Sequence, residues 1–173
     1  VAPEVIGVEL DALGTQLFWM DSSGKGAIYD RLDPQVSRRI PGSLQDNLSA
    51  RFSSGNRFFA LSGSRGVDLR NSAFDPSQTT LETVDGPVFG LQFLGDAVGL
   101  VGGVASGELV VWDLQSQQLL MQRPLRSSPV IALEISRNNE WLATLHLDSH
   151  VCLWDVRSTS LFDFKNWHRK ESQ

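Results

Sequence analysis

The sequence predicts an all-β protein made of four copies of one antiparallel unit. Three observations carry this prediction: apolar and polar residues alternate, turn-forming residues interrupt the runs every few positions, and two columns of residues recur with a period near 42. Alternation with a period of two indicates half-buried strands, and short polar interruptions indicate hairpins. No segment of ten or more residues shows an apolar stripe with helical spacing.

The segment 130–155 shows the repeating unit most clearly. Its first strand alternates between apolar and polar residues up to Ile135, and a polar turn at 136–140 then reverses the chain. A second apolar run at 141–145 is followed by a tight polar link, and a third run ends in a Trp-Asp pair. This order predicts three antiparallel strands joined by short hairpins.

Two columns of residues establish the repeat. The residues that close the first strands are Leu10, Phe52, Phe93 and Ile135, separated by 42, 41 and 42 positions. The residues that end the third strands are Tyr29, Arg70, Trp112 and Trp154, separated by 41, 42 and 42 positions. Because self-similarity at a fixed period marks repeat architectures, we expect the four first-strand residues in equivalent inward positions. A column of small residues predicts close approach of neighbouring backbone, and it contains Gly7, Ser49, Gly90 and Ala132.

Each copy is expected to contain four strands in the same order. The second strands are predicted at 17–20, 58–61, 98–101 and 141–145. Glycine, Ser or Asp residues then turn the chain into the third strands, since such residues suit tight hairpins. More polar fourth strands are predicted near 36–40, 81–84, 119–122 and 161–164. The predicted units cover residues 5–43, 46–85, 87–126 and 129–165, followed by a tail at 166–173.

Length, composition and charge limit the functional classes. The 173 residues are 41% hydrophobic and 20% charged, which is typical of a globular protein. A net charge of −5 argues against direct binding to a nucleic-acid backbone. The sequence contains no run of 18 apolar residues, and we expect no membrane span. The single cysteine, Cys152, fits a reducing compartment, so we expect an intracellular protein of the cytoplasm, the nucleus or both.

The third strands of the last two copies end in Val111-Trp112-Asp113 and Leu153-Trp154-Asp155, and Asp148 stands six residues before Trp154. These strand ends resemble those of WD40 repeats, a family that keeps a turn aspartate at the position of Asp148. The period near 42 and the four strands per copy are similar to the same family. The resemblance implies a β-propeller of WD40 type, with Trp112, Asp113, Asp148, Trp154 and Asp155 as structural repeat positions.

The first two copies depart from the WD40 pattern. They place Tyr29-Asp30 and Arg70-Asn71 at the Trp-Asp position, and the family's Gly-His dipeptide is absent. Without that histidine, Asp148 must bond N–H groups of its own turn, lie exposed, or accept from His146 or His150.

The resemblance also implies a larger assembly. It covers residues 87–165 by signature and most of the chain by period. WD40 propellers usually close with about seven blades, and four copies are too few by that measure. The chain opens with VAPEVIGVEL, without an initiator Met or a basic leader, and we expect a fragment or a processed product. We therefore expect part of a propeller that a longer chain or another chain completes, because proteins normally cover open sheet edges.

Residues that could carry chemistry are few, and each has a structural alternative. His146, Asp148 and His150 form an H-x-D-x-H string similar to metal-binding sequences, but a hairpin turn interrupts it. Ser149 adjoins His150, yet no G-x-S-x-G elbow accompanies them. Cys152 alternates with apolar neighbours, as structural cysteines do. We expect no catalytic residue, no metal and no cofactor.

The residues predicted to contact a partner are Arg123, Arg126, His146, His150 and Trp167. The two arginines are predicted to lie in the connection between the third and fourth copies, and arginine is enriched at interaction hot spots. Trp167 has an alternative role in covering the end of the last unit, because a repeat array needs protected ends.

The sequence favours a non-catalytic scaffold that mediates protein–protein interactions within a multi-subunit complex. The resemblance implies this role, because most WD40 proteins organise complexes. One alternative is a scaffold subunit of a nucleic-acid-processing assembly, either an RNP or a chromatin complex. Another is a phosphoinositide-binding propeller, for which Ser37-Arg38-Arg39-Ile40 is the candidate motif, although neither flank matches the family pattern.

Overall fold

The described part of the chain is built from strands. The computed structural model describes residues 4–33, 35, 37–40, 49–64, 66–71, 79–82, 86–95, 97–156 and 168–170, with backbone alone at 82 and 168–170. Within these ranges, 16 strands form four antiparallel sheets of four strands each. The predicted all-β fold of four consecutive antiparallel units is thereby confirmed. The described residues include no helix of the length and apolar character that crossing a membrane requires.

In each sheet the strands are neighbours in the order in which they occur along the chain. The first sheet contains β1 (Val5–Leu10), β2 (Gln16–Asp21), β3 (Gly26–Asp30) and β4 (Ser37–Arg39). The second contains β5 (Ser49–Phe52), β6 (Phe58–Gly63), β7 (Gly66–Asn71) and β8 (Thr79–Glu82). The third contains β9 (Val88–Leu94), β10 (Gly99–Val104), β11 (Glu108–Asp113) and β12 (Gln118–Pro124). The fourth contains β13 (Val130–Ile135), β14 (Trp141–His146), β15 (Val151–Asp155) and β16 (His168–Lys170).

The fourth sheet is completed by a strand in the segment that the sequence assigns to a tail. β16 pairs antiparallel with β15, with Leu153 opposite Lys170 and Asp155 opposite His168. The strand predicted near 161–164 lies outside the described residues.

The strand register confirms that the two sequence columns occupy equivalent places. Each residue of the first-strand column pairs with the residue seven positions later, which in turn pairs with a residue of the third-strand column. Burial differs between the copies, however. Phe93 is buried, whereas Leu10 is 61% exposed, because no described sheet covers the outer side of the first sheet. The expectation that all four residues point into a core is therefore wrong for Leu10.

The hairpins also repeat, because the same positions adopt a left-handed backbone in every copy. In the turns between first and second strands these positions are Gly14, Asn56, Ala97 and Asn139. In the turns between second and third strands they are Gly24, Gly66, Gly107 and Ser149. Both sets are separated by 42, 41 and 42 residues, so the repeat extends to backbone conformation.

The core lies between successive sheets. The first strands β1, β5, β9 and β13 pack side by side, each on the next along the chain. At Gly90 in β9, an added Cβ would lie 3.3 Å from the Ala132 Cα in β13. This contact confirms at one position the close approach that the small-residue column predicts. Three apolar clusters fill the three boundaries between sheets.

Candidate interaction surface

The connection between the third and fourth sheets, residues 125–129 (the linker), lies tightly against the turn between β10 and β11. The Gly107 carbonyl accepts from the backbone N–H groups of Leu125 (3.1 Å) and Arg126 (3.4 Å). Gly107 has φ +88°, and a Cβ at this residue would overlap the carbonyl oxygen of Arg126. Glycine is therefore required here by both conformation and space.

Arg126 connects the linker to the turn between β14 and β15. Its Nη2 and Nε lie 3.2 and 3.3 Å from Oδ2 of Asp148. The other carboxylate oxygen of Asp148, Oδ1, lies 3.2 Å from Nδ1 of His150 and accepts from the backbone N–H of His150 at 3.3 Å. The Asp148 N–H donates to Ser128 Oγ at 3.0 Å. Asp148 thus uses its own turn, His150 and a linker arginine in place of the missing family histidine.

The environment of Asp148 favours its ionised form. Desolvation by burial is the largest influence and raises its pKa. The backbone N–H of His150 and the charges of His150 and Arg126 oppose it, and together they hold the pKa below the ordinary aspartate value. The carboxylate consequently stays charged at neutral pH.

These groups line a groove at the boundary between the third and fourth sheets. Its volume is about 630 Å³, and its lining contains Leu125, Arg126, Ser127, Ser128, Pro129 and Asp148. A neighbouring hollow of about 520 Å³ extends along the linker to Ser106 and Glu108. The side chains of Arg126, Asp148 and His150 are 27%, 35% and 56% exposed. We call the set Ser106, Arg126, Ser127, Asp148 and His150 the linker surface.

His146 does not belong to the linker surface, because its side chain is fully buried. Trp154 Nε1 donates to Thr144 Oγ1 at 3.2 Å, and Thr144 Oγ1 lies 3.3 Å from His146 Nε2. His146 Nδ1 lies 3.0 Å from the Ser128 carbonyl. Since a carbonyl only accepts, Nδ1 carries a hydrogen. In the neutral ring Nε2 is then an acceptor for the Thr144 hydroxyl. This burial corrects the expectation that His146 contacts a partner.

Two tryptophans of the third-strand column are buried against neighbouring sheets. Trp112 is 1% and Trp154 is 3% exposed. Arg123 lies within β12 and not in the connection where the sequence places it. Its guanidinium carbon is 5.7 Å from the centroid of the Trp154 ring. This cation–π contact joins the third sheet to the fourth and occupies one face of Arg123.

The aspartate of the third Trp-Asp pair fixes a turn. Asp113 accepts from the N–H of Gln115 at 2.7 Å and from Ser116 Oγ at 3.0 Å. The backbone bond from Gln115 is the largest influence on its pKa and lowers it, against desolvation. Asp155, the equivalent residue of the fourth sheet, is half-buried at the end of β15.

A polar column along the first strands was missed by the sequence reasoning. Its members are Glu9, Arg51, Gln92 and Glu134, separated by 42, 41 and 42 residues. Arg51 Nη1 lies 3.0 Å from Glu9 Oε2. Gln92 Nε2 donates to Glu134 Oε2 at 2.9 Å and to the Leu133 carbonyl at 3.2 Å. The same period, applied to the residue before each member of the first-strand column, would have revealed this polar column.

Glu9 experiences opposing influences within this column. Desolvation by burial raises its pKa most, Arg51 lowers it through charge and a hydrogen bond, and the charge of Glu134 raises it. The net pKa is above the ordinary glutamate value. The two carboxylates at the ends of the column therefore influence each other.

The remaining candidate residues are not brought together. Arg38 and Arg39 are successive exposed residues of β4, so their side chains point to opposite faces of the sheet. Trp167 lies outside the described residues. Within the described ranges, no group of three or more His, Cys, Asp or Glu side chains is placed to hold a metal ion.

Comparison of the sequence with known proteins identifies WD-repeat relatives. No family model matches the chain. It is 32% identical over 146 residues to WD repeat-containing protein 90 of Mus musculus, a match that covers 79% of this chain and 8% of the relative. It is 29% identical over 170 residues to the WD-40 repeat-containing protein MSI3 of Arabidopsis thaliana, covering 90% of this chain and 38% of the relative. The chain thus spans well under half of the length of either relative.

Solved structures share the fold. The β-propeller domain of Cps50 (Swd1) from Myceliophteria thermophila superimposes with a TM-score of 0.78 at 14% identity, covering 97% of this chain and 60% of that chain. The computationally designed Ika4 protein superimposes with a TM-score of 0.72 at 18% identity, covering 88% of this chain and 91% of the designed one. The shared register, the paired Trp-Asp strand ends and these similarities lead to one conclusion. The chain belongs to the WD40-repeat family of β-propeller proteins.

Proposed function

We propose that this chain is a non-catalytic scaffold that holds other proteins on the linker surface within a multi-subunit complex. WD40 propeller proteins generally mediate protein–protein interactions as scaffolds. The linker surface offers a patch suited to that role, because rigid strands on both sides fix the positions of its polar groups.

The observation that carries the proposal is the ion pair between Arg126 and Asp148 across the boundary of the third and fourth sheets. The pair holds both side chains in one orientation while leaving each partly exposed. Little side-chain entropy then remains to be lost when a partner binds, which favours affinity. Arginine has five N–H donors, so Arg126 retains donors for a carboxylate or carbonyl of the partner.

The same residues support binding better than catalysis. The Asp148–His150 contact is similar to the base-orienting pair of a hydrolytic triad. A triad also needs a hydroxyl group that donates to the second ring nitrogen of its histidine. The Ser128 hydroxyl, in the same groove, instead accepts from the Asp148 N–H. We therefore assign His150 to recognition.

Affinity capture with paired variants tests this proposal. Arg126→Asp places a like charge beside Asp148, and adding Asp148→Arg restores the ion pair with its polarity reversed. We expect the wild-type chain to retain a set of proteins from cell extract that both the single and the double variant lose. Thermal unfolding should show that the double variant recovers stability lost by the single variant, which separates binding from folding.

A matched control uses Arg137, an exposed arginine in the turn between β13 and β14, at the other end of these strands from the linker surface. Arg137→Asp makes the same change of charge and should leave the captured proteins unchanged. If Arg126→Asp and its charge-reversed double variant retain the same proteins as the wild type, the linker surface is not the docking site.

A further inference from the structure

A buried polar chain of hydrogen bonds runs from the core of the fourth sheet to the linker. It begins at Trp154 Nε1, which donates to Thr144 Oγ1 at 3.2 Å, and Thr144 Oγ1 lies 3.3 Å from His146 Nε2. It ends where His146 Nδ1 donates to the Ser128 carbonyl at 3.0 Å. The first three residues are 3%, 1% and 0% exposed, so the contacts between their side chains are shielded from water.

Ser128 connects the buried polar chain to the linker surface. Its hydroxyl accepts from the Asp148 N–H at 3.0 Å, and the Asp148 carboxylate pairs with Arg126. The backbone of His146 belongs to the same turn as Asp148, since the His146 N–H donates to the His150 carbonyl at 2.9 Å. His146 therefore contacts both the linker, through its ring, and the turn that carries Asp148, through its backbone.

The third sheet shows that a sheet of this type does not require the buried polar chain. The residues 42 positions before Ser128, Thr144, His146 and Asp148 are Gly86, Gly102, Val104 and Ser106. Val104 and Trp112, the equivalents of His146 and Trp154, are both 1% exposed. An apolar residue at the position of His146 is thus sufficient to keep the strand and the tryptophan buried.

The polar residues of the fourth sheet consequently need another reason. Burying an imidazole where valine would fit costs free energy unless each ring nitrogen finds a partner. The partner of His146 Nδ1 is supplied by the linker and not by the sheet itself. All four residues differ from their equivalents in the third sheet, and two of them, Ser128 and Asp148, line the groove beside Arg126. The buried polar chain therefore accompanies the linker surface.

We infer that His146 is a positioning residue of the linker surface. Its Nδ1–H holds the Ser128 carbonyl from the inside, which fixes the linker and the Asp148 turn in the arrangement that binds a partner. The part of the inference that concerns the partner rests on the proposed function, whereas the part that concerns the linker does not. Polar groups that are fixed before binding lose less entropy when a partner arrives.

Hydrogen exchange of the linker tests whether His146 holds it in place. Leu125 and Arg126 donate their N–H groups to the Gly107 carbonyl, so slow exchange at these two residues reports a linker in contact with the turn. His146→Val introduces the residue type of the third sheet and leaves the position apolar. We expect exchange at Leu125 and Arg126 to become faster by roughly tenfold or more relative to the N–H groups of β10.

Two further variants separate the two ring nitrogens. The side-chain amide of asparagine can place an N–H at the position of Nδ1, whereas that of the longer glutamine reaches the position of Nε2. His146→Asn should therefore keep the slow exchange of the linker and His146→Gln should lose it, although each variant breaks one of the two hydrogen bonds.

Thr144→Val is the control for a loss of stability alone. It lowers the unfolding midpoint but keeps the contact between His146 and Ser128, so exchange of the linker relative to β10 should stay as in the wild type. Slow linker exchange in both His146→Val and His146→Gln would overturn the inference. Fast linker exchange in His146→Asn would also overturn it, because the linker would then not depend on the Nδ1 contact.

Affinity capture tests whether the positioned linker matters for binding. The proteins that Arg126→Asp loses should also be lost by His146→Val and His146→Gln, and retained by His146→Asn and Thr144→Val. Fast linker exchange together with an unchanged set of captured proteins would support the positioning role and count against the linker surface as the docking site. Failure of the inference and failure of the proposed function thus give different results.

Discussion

At the scale of single residues, Thr144 is central to the buried polar chain of the fourth sheet. Its hydroxyl contacts both Trp154 Nε1 and His146 Nε2, at 3.2 and 3.3 Å. All three side chains are buried. Removing the hydroxyl would leave a donor and an acceptor without their partners, and each buried polar group left so costs about 1–3 kcal/mol.

We therefore expect Thr144→Val to lower the free energy of unfolding by about 2–4 kcal/mol, because valine keeps the shape of threonine but offers no hydroxyl. Urea unfolding at neutral pH measures this quantity. Thr80→Val is the matched control, since it removes an exposed hydroxyl that contacts Asp68 at 3.2 Å. Its effect should stay within about 0.5 kcal/mol. Equal unfolding midpoints for the two variants would show that the hydrogen bonds of the Thr144 hydroxyl contribute no stability.

Residue-level prediction from sequence succeeded where a column or a motif carried the information. The positions of Trp112 and Trp154 followed from the repeat alone, and both lie buried. The role of His146 did not follow, because its acceptor is the Ser128 carbonyl, 18 residues earlier in the chain. That contact depends on the path of the linker, which local alternation does not encode.

At the scale of elements, the hairpins follow from residues that tolerate a left-handed backbone. Six of the eight repeated turn positions are glycine or asparagine, and the other two are Ala97 and Ser149. Asparagine and glycine adopt this conformation at low cost, whereas a Cβ elsewhere is disfavoured by about 1–2 kcal/mol. The turn chemistry explains why short strands fold back in register in all four sheets.

Alanine substitutions at three glycines should separate backbone strain from steric overlap. Gly55 has an ordinary φ and open space, so Gly55→Ala should be close to neutral. Gly14 has φ +64° and open space, so Gly14→Ala should cost about 1 kcal/mol from strain alone. At Gly107 an added Cβ also meets the linker backbone, with the Ser128 oxygen 2.7 Å away, and we expect a cost of about 3 kcal/mol or more.

Thermal or urea unfolding of the three variants gives the comparison directly. Gly107→Ala should also disturb the ion pair between Arg126 and Asp148, because the linker backbone would have to move. If Gly107→Ala cost no more than Gly14→Ala, the linker would not be held against the turn as the structure indicates.

Sequence patterns located most strands but not the last. The predicted second strands at 58–61 and 141–145 overlap β6 and β14 closely, because alternation and turn residues bound them. The sequence predicts the fourth strand near 161–164, which lies outside the described residues, whereas β16 lies at 168–170, where a charged tail is predicted. Pairing with β15, a tertiary contact, determines that strand.

At the scale of the whole molecule, the period fixed the number of copies and their equivalence, but it did not reveal which faces remain open. Inward and outward positions look alike in a sequence when the same residue type occupies both. Leu10 and Ile135 belong to one column, yet only Leu10 lacks a covering sheet. Whether such a residue is exposed depends on which sheet packs against it, and that contact is not encoded in the residues of its own strand.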